Sequence, residues 1–335
     1  MDAARTPRQF ADRTQLTDVV RAAYGTSRSI STVTRLRGGT RKGVYRLTLD
    51  DNSTVVGYIW SAEENYWPVA AGADGVPGTT VLANAADSVL FEAATAEYAR
   101  IGVRVPEIHL LDRSRRWYPA DIALVEEVPG PNLEQRLADD PRAAAGTVAR
   151  LAEMLTVMRD HRSTRFGKVA VAAEATPTLP SALDVVRRWA LKDLTEAAGR
   201  DERINRERAR LTDLVHELAS AVDPVTSYGL VHGELGPDHV LVDAAGEPVL
   251  IDIEGTMFFD VEWEHVFLRI RFGEHYPLLR PDGLDERRLR FYQLAQHLSL
   301  VAGPLRLLDG DFPNREFMLG IVAHHTERLL SFPPS

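Results

Sequence analysis

A chain of 335 residues divides, at roughly 150 per domain, into about two domains or one domain of two lobes. Apolar residues make up 44% and charged residues 26%, which allows a sizeable core and excludes a disordered or collagen-like chain. The formal charge of -9 argues against non-specific nucleic-acid or anionic-lipid binding, and the absence of cysteine removes disulfides, zinc ribbons, Fe–S clusters and thiol nucleophiles together.

Residues 1–11 (MDAARTPRQFA) lack the apolar core of a secretory signal. No uncharged apolar run reaches the roughly 18 residues needed to span a bilayer, so a cytoplasmic protein without membrane or nucleic-acid partners is expected. Val33–Leu36, Val44–Leu49 and Thr54–Trp60 read as a three-stranded meander. The first turn is glycine-rich (Gly38-Gly39-Thr40-Arg41-Lys42-Gly43). From Ser61 to about Asn84 lies a loop long enough to be either mobile or functional. Ala85–Ile101 predicts a helix stopped by Gly102, and Val103–Leu111 and Ile122–Val128 predict two more strands.

Pro129-Gly130-Pro131 is a natural linker, so residues 1–128 form a small β-rich lobe and residues 129–335 a larger one. The second lobe is mainly helical. Val148, Leu151, Met154, Leu155 and Met158 recur at helical spacing, as do Leu211, Leu214, Val215, Leu218 and Val222. Arg200–Arg210 mixes both charges and predicts a solvated helix face; Leu289–Val301 and Phe317–Leu330 predict further helices. Val240–Val242 and Val249–Ile253 form a hairpin around Asp243-Ala244-Ala245-Gly246. The fold class is α+β.

The densest chemistry runs from His232 to His265, with carboxylates and imidazoles at both edges of that hairpin. A zinc deaminase would need a PCxxC pair, which a cysteine-free chain lacks. A zinc peptidase would need H-E-x-x-H on one helix, but Gly233 separates His232 from Glu234, and Gly236-Pro237 breaks any helix. The glycine-rich turn has no GK[ST] ending and leads into a strand, so it is not a P-loop; a phosphate loop and a plain hairpin turn both fit it. Phosphoryl transfer fits the segment best. Kinases carry a catalytic carboxylate and a metal ligand in the spacing H-x-D-x-x-x-x-N, then a metal carboxylate beyond the next hairpin. Here His232, Glu234 and His239 hold those three positions, and Asp252 follows the hairpin.

HGELGPDH, IDIEG and the pair Asp260 and Glu264 in DVEWEH resemble the aminoglycoside phosphotransferase family, whose signature is HGDLHPGN, then IDW, then D-x-x-x-D. His239 at the metal position is similar to the macrolide-kinase branch, RGGTRKGVYRL resembles the nucleotide loop, and VEEVPG the hinge. The resemblance implies a protein-kinase-like two-lobe fold, with an antiparallel-sheet N-lobe and a helical C-lobe. It implies transfer of a γ-phosphate from ATP or GTP to a hydroxyl of an antibiotic-like small molecule. Glu234 would be the base, with His232 bracing its loop. His239 and Asp252 would hold Mg²⁺, or Mn²⁺ because imidazole suits a softer cation. Gly38, Gly39, Thr40, Arg41, Lys42, Glu126 and Val128 would bind the nucleotide. Asp260, Glu262 and Glu264 would face or brace a substrate cleft favouring a cationic acceptor. Three departures stand out: Glu234 replaces the family Asp, His239 replaces Asn, and the third strand offers Gly57 or Tyr58 where a phosphate-binding Lys belongs. Arg41 or Lys42 would then supply the charge, and Glu92 lacks its customary partner. The rival reading is a pseudokinase that binds a nucleotide or small ligand without turnover.

Overall fold

The computed structural model describes residues 8–67, 87–172 and 181–334. Most of the loop expected from Ser61 to Asn84, and the first residues of the helix expected from Ala85, lie outside the described residues. Helix α1 (Arg13–Tyr24) opens on a capping box in which Gln15 N donates to Asp12 and Asp12 N donates to the Gln15 side chain. Strands β1 (Ile30–Arg35), β2 (Gly43–Leu49) and β3 (Thr54–Trp60) follow, then α2 (Ser88–Arg100), β4 (Ile108–Asp112) and β5 (Asp121–Glu126). The five strands make one antiparallel sheet in the order β1-β2-β3-β5-β4.

Alternation along the strands assigns the two faces. Val55 and Ile59 of β3 with Ile122 and Leu124 of β5 pack on Leu16, Val19 and Val20 of α1. Tyr58, Ala123 and Val125 point the other way and pack on Phe91, Ala94 and Tyr98 of α2. Both faces are covered, which is why β5 reads as an unbroken apolar run. Helix α1 was not expected from the sequence, although Asp12 and the Leu16, Val19, Val20 spacing carry its signal. The strand expected from Val103 starts only at Ile108. Pro106 has no N–H to give a ladder, and the Arg104 carbonyl accepts instead from Leu250 N at 2.9 Å.

The second lobe contains α3 (Leu133–Asp139), α4 (Pro141–Asp160), β6 (Arg162–Ser163), β7 (Gly167–Lys168), α5 (Val169–Ala172), α6 (Ala182–Ala198), α7 (Glu202–Arg206) and α8 (Arg208–Ser220). After them come β8 (Tyr228–Val231), the hairpin β9 (Val240–Val242) and β10 (Pro248–Leu250), β11 (Met257–Phe259), α9 (Val261–Phe272), α10 (Glu286–Leu307) and α11 (Arg315–Leu330). The expected mixed-charge helix over Arg200–Arg210 is two helices. Asp201 caps α7 through Arg203 N and Ile204 N, and buried Ile204 anchors that turn before α8 begins. Unforeseen as well is a small sheet in the order β6-β8-β11-β7, which joins the ends of the chemistry-bearing loops. One core crosses between the lobes, since Tyr58, Phe91 and Tyr98 belong to the same buried cluster as Leu133, Leu230 and Ile253. Among the described residues no helix is long and apolar enough to cross a membrane.

Histidines buried in the second lobe make stability acid-sensitive. Burial pushes His265 down to about 4, His297 to about 3 and His325 to about 4, and His297 and His325 share a proton between their Nδ1 atoms at 2.9 Å. A histidine with a depressed folded pKa adds stability above its ordinary 6.5, lost as pH falls toward the folded value. The thermal midpoint should therefore drop steeply from about pH 6.5 to 4. Replacing both His297 and His325 by Gln should flatten that slope; parallel curves for parent and variant would exclude the pair as a source.

Candidate active site

The loop after β8 is held by backbone contacts. His232 is buried, and its Nε2–H donates to the Ile251 carbonyl at 2.9 Å while Nδ1 accepts from Glu234 N at 3.4 Å. Burial pushes it down to about 4, so it is neutral and braces the loop through both ring nitrogens. Gly233 takes φ +96, and Gly255 approaches it so closely that a Cβ on Gly255 would meet the His232 carbonyl at 2.8 Å. The Gly233 N–H donates to Glu264 Oε2 at 2.7 Å. Burial lifts the Glu264 carboxyl to about 7 although three loop amides oppose this.

Glu234 projects from this loop into the cleft, and its backbone carbonyl accepts from His239 Nδ1 at 2.9 Å. That bond fixes the His239 tautomer and leaves Nε2 as a lone-pair donor, 3.7 Å from Asp252 Oδ2. Desolvation within the cleft, reinforced by the Asp252 charge, raises the Glu234 carboxyl above its ordinary value.

Asp252 ends the hairpin in the left-handed region, φ 59 and ψ 44. The strand expected to reach Ile253 stops at Leu250, because the chain must turn there to aim this side chain. Such a conformation costs about 1 kcal/mol or more for a residue with a Cβ, and its surroundings impose it. Its Oδ1 accepts from Lys42 Nζ at 2.8 Å, and the same ammonium makes a short bond to Glu254 Oε1. Lys42 lies 4.8 Å from the centre of the Tyr58 ring on β3. The positive charge absent from β3 is thus delivered from the glycine-rich turn to the same place. Burial opposes the charge on Lys42, but the two carboxylates outweigh it and hold the amine protonated; Lys42 in turn holds Asp252 well below the usual carboxylate range.

The turn itself is pinned across the cleft. A Cβ on Gly39 would meet the Lys42 carbonyl at 2.3 Å, so only glycine permits this tight approach. The Thr40 carbonyl accepts from Tyr66 N at 2.8 Å and its hydroxyl from Trp67 Nε1 at 3.0 Å. The Arg41 guanidinium stacks 4.5 Å from the Trp67 ring, with its Nε unbonded, and burial lowers it to about 10. Tyr66 packs on Leu307 and Phe312 of the second lobe, which ties the turn to both lobes.

Other expected residues stand elsewhere. Glu126 is taken up by Arg104 at 2.5 Å and by Glu107 N at 3.1 Å, and its own N–H donates to the Glu107 carbonyl at 2.8 Å; Val128 beside it is buried. The acidic trio does not line a substrate cleft. Asp260 is buried and accepts from Arg288 at 2.7 Å and from the Tyr292 hydroxyl. Glu262 accepts from Asp285 N at 3.1 Å, and Glu264 braces the Gly233 loop. Their charges are spent inside the lobe. Glu92 pairs at the surface with Arg113 at 2.6 Å, away from Lys42.

A cation of the expected kind fits the His239–Asp252 pair. Two ligands of one Mg²⁺ or Mn²⁺ stand roughly 3–4 Å apart, and a lone pair and an anionic oxygen already do so here. Asp238 Oδ2 also lies 3.8 Å from His239 Nε2, its Oδ1 taken by Arg271, but among the described residues no group of three His, Asp or Glu is arranged to hold a metal, so phosphate oxygens and water would complete the coordination.

The profile of the phosphotransferase enzyme family matches residues 32–304. The chain belongs to that family. A sequence search of curated proteins finds no match. The structure is similar to a thermostable mutant of the aminoglycoside phosphotransferase APH(4)-Ia, with TM-score 0.61 and 17% identity over 93% of this chain and 98% of the other. It is similar to the choline kinase LicA from Streptococcus pneumoniae, with TM-score 0.61 and 13% identity over 95% and 99%. It is also similar to spectinomycin phosphotransferase APH(9)-Ia in complex with ADP and spectinomycin, with TM-score 0.57 and 15% identity over 97% and 96%.

Within this phosphotransferase the kinase-like two-lobe fold was legible from motifs, but several functional partners were not. Glu254 as the second acid on Lys42 had only its position two residues after Asp252 to show it. Lys168 had less: β7 is two residues long and carries no periodicity. Its Nζ donates to the Gly255 carbonyl at 2.8 Å, and burial lowers it to about 8.

The Asp260 site makes one stability prediction. Arg288→Ala leaves Asp260 buried without its cation and should cost about 3–5 kcal/mol in urea unfolding. A loss below about 1 kcal/mol would mean that Arg288 does not hold Asp260.

Proposed function

We propose that this phosphotransferase moves the γ-phosphoryl group of a nucleoside triphosphate onto a hydroxyl of a small, antibiotic-like molecule. The observation that carries the reading is the convergence of Glu234, His239, Asp252 and Lys42 on one cleft, from three separate segments. Solved relatives of the same fold are described with ADP, AMP or AMP-PNP, which favours ATP over GTP as donor. Such donors are cytoplasmic metabolites, and that is the compartment of this reading. Hygromycin B and spectinomycin in those relatives favour a hydroxylated, amine-bearing acceptor. The overall charge of -9 attracts such a cation, although the Asp260, Glu262 and Glu264 carboxylates are engaged internally.

Lys42 takes the part of a strand-three lysine, binding the donor phosphates, and Glu254 takes the part of the acid that holds it. Arg41 adds positive charge beside Glu234. Glu234 accepts the acceptor hydroxyl proton and orients the oxygen for in-line attack. His239 and Asp252 would hold Mg²⁺ or Mn²⁺, which would offset the negative charge of the donor phosphates. The pseudokinase reading draws on one observation: Asp252 already has a cation, Lys42, on one carboxylate oxygen.

Phosphoryl transfer by the parent would exclude the pseudokinase, and Glu234→Gln then tests the base. It keeps size while removing basicity, and should lower kcat roughly 10²- to 10⁴-fold with nucleotide KM little changed. Equal turnover by the variant would remove Glu234 from the chemistry. Asp252→Ala should abolish the metal-dependent part of nucleotide affinity, read as the difference in thermal shift with and without Mg²⁺. An unchanged difference would place the metal elsewhere.

A further inference from the structure

Lys168 closes β7, which pairs with β11 immediately after the Asp252–Gly255 segment. Its ammonium carries three protons, and one goes to the Gly255 carbonyl at 2.8 Å. Among the described residues no carboxylate lies within ion-pair distance of it, and no second hydrogen bond is made. Yet it lies within the field of both Glu234 and Glu254, with Arg41 as the neighbouring cation. A half-buried ammonium whose one partner among the described residues is a neutral carbonyl is well placed to take an anion. Lys42 differs in this respect, because Asp252 and Glu254 neutralise it fully. Among the described residues Lys168 therefore has two donors without a protein partner, on the side of the proposed base.

We propose that Lys168 is a catalytic residue that donates to the non-bridging oxygens of the γ-phosphoryl group as it is transferred. The proposal rests on the phosphotransfer reading above. In the step, the acceptor oxygen bonds to the γ-phosphorus as its proton passes to Glu234. The bond from that phosphorus to the β,γ-bridging oxygen breaks, and its electron pair leaves with the nucleoside diphosphate. The charge on the γ-oxygens is present in the triphosphate and persists through the transfer, so the ammonium is needed in both states. The Gly255 carbonyl fixes its position without neutralising it.

The test compares two nucleotides on the full chain with Mg²⁺: AMP-PNP, which has a γ-phosphoryl group, and ADP, which has none. Lys168→Gln retains a donor for the Gly255 carbonyl and loses the charge. It should weaken AMP-PNP binding roughly 10- to 100-fold in calorimetry and leave ADP affinity within about threefold. ADP release from subsaturating ATP, with water as the only acceptor, should fall by about the same factor as AMP-PNP affinity, roughly 10- to 100-fold. Lys168→Arg should recover most of the AMP-PNP affinity, which a purely structural role would not predict. Equal losses for AMP-PNP and ADP, or no loss for either, would overturn the assignment of Lys168 and leave the phosphotransfer reading in place. Failure of the parent protein to bind either nucleotide would overturn that reading and this assignment together.

Discussion

The site is organised around one buried ammonium. Lys42 Nζ binds the carboxylates of Asp252 and Glu254 at once, over the face of Tyr58. Glu254 is buried and Asp252 half exposed beside it; were the cation absent the two would repel each other, and the buried Glu254 would favour its protonated form. With it, Asp252 stays ionised and its second oxygen is free to face His239. The same contact spans more than two hundred residues of sequence and fastens the first lobe to the second. The glycine-rich turn is consequently a structural clasp as well as the proposed phosphate-binding element.

Around that contact the geometry is set by backbone. Loops 232–236 and 253–255 approach so closely that a Cβ on Gly255 would meet the His232 carbonyl at 2.8 Å, Gly233 takes φ +96, and His232 ties the loops through a carbonyl of the hairpin. The hairpin turn is rigid, with Asp243 accepting from Ala245 N and Glu247 N at 2.9 Å. Placed on these supports, His239 and Asp252 face each other with little freedom. The acids downstream serve the same end: Glu264 holds the Gly233 amide, and Asp260 anchors α9 to α10 through Arg288 and Tyr292.

Much of this was legible in the sequence, for reasons that differ by element. The hairpin, α4, α8 and α10 follow from periodicity, and the His232-to-Asp252 spacing carries the reaction class. The small sheet was not legible, because strands of two to four residues leave no pattern to read. Helix α1 was overlooked although Asp12 and Gln15 spell a capping box. The acidic trio was misleading. A run of carboxylates reads as a negative cleft until Arg288, from a helix more than twenty residues away, shows where the charge goes. Lys42 was noticed as a charge but not as a pair, since no local rule links a turn to residues 252 and 254.

The most direct measurement is the affinity of Mg²⁺–AMP-PNP for Glu254→Gln and for the same variant carrying Lys42→Met, read by calorimetry. The glutamine removes the buried charge that Lys42 would otherwise leave unpaired, so both proteins should fold. If Lys42 binds the donor phosphates, the single variant stays within about threefold of the parent and the double variant loses roughly 10- to 100-fold. A double variant that binds as tightly as the single one would contradict the role of Lys42 as the relocated phosphate lysine.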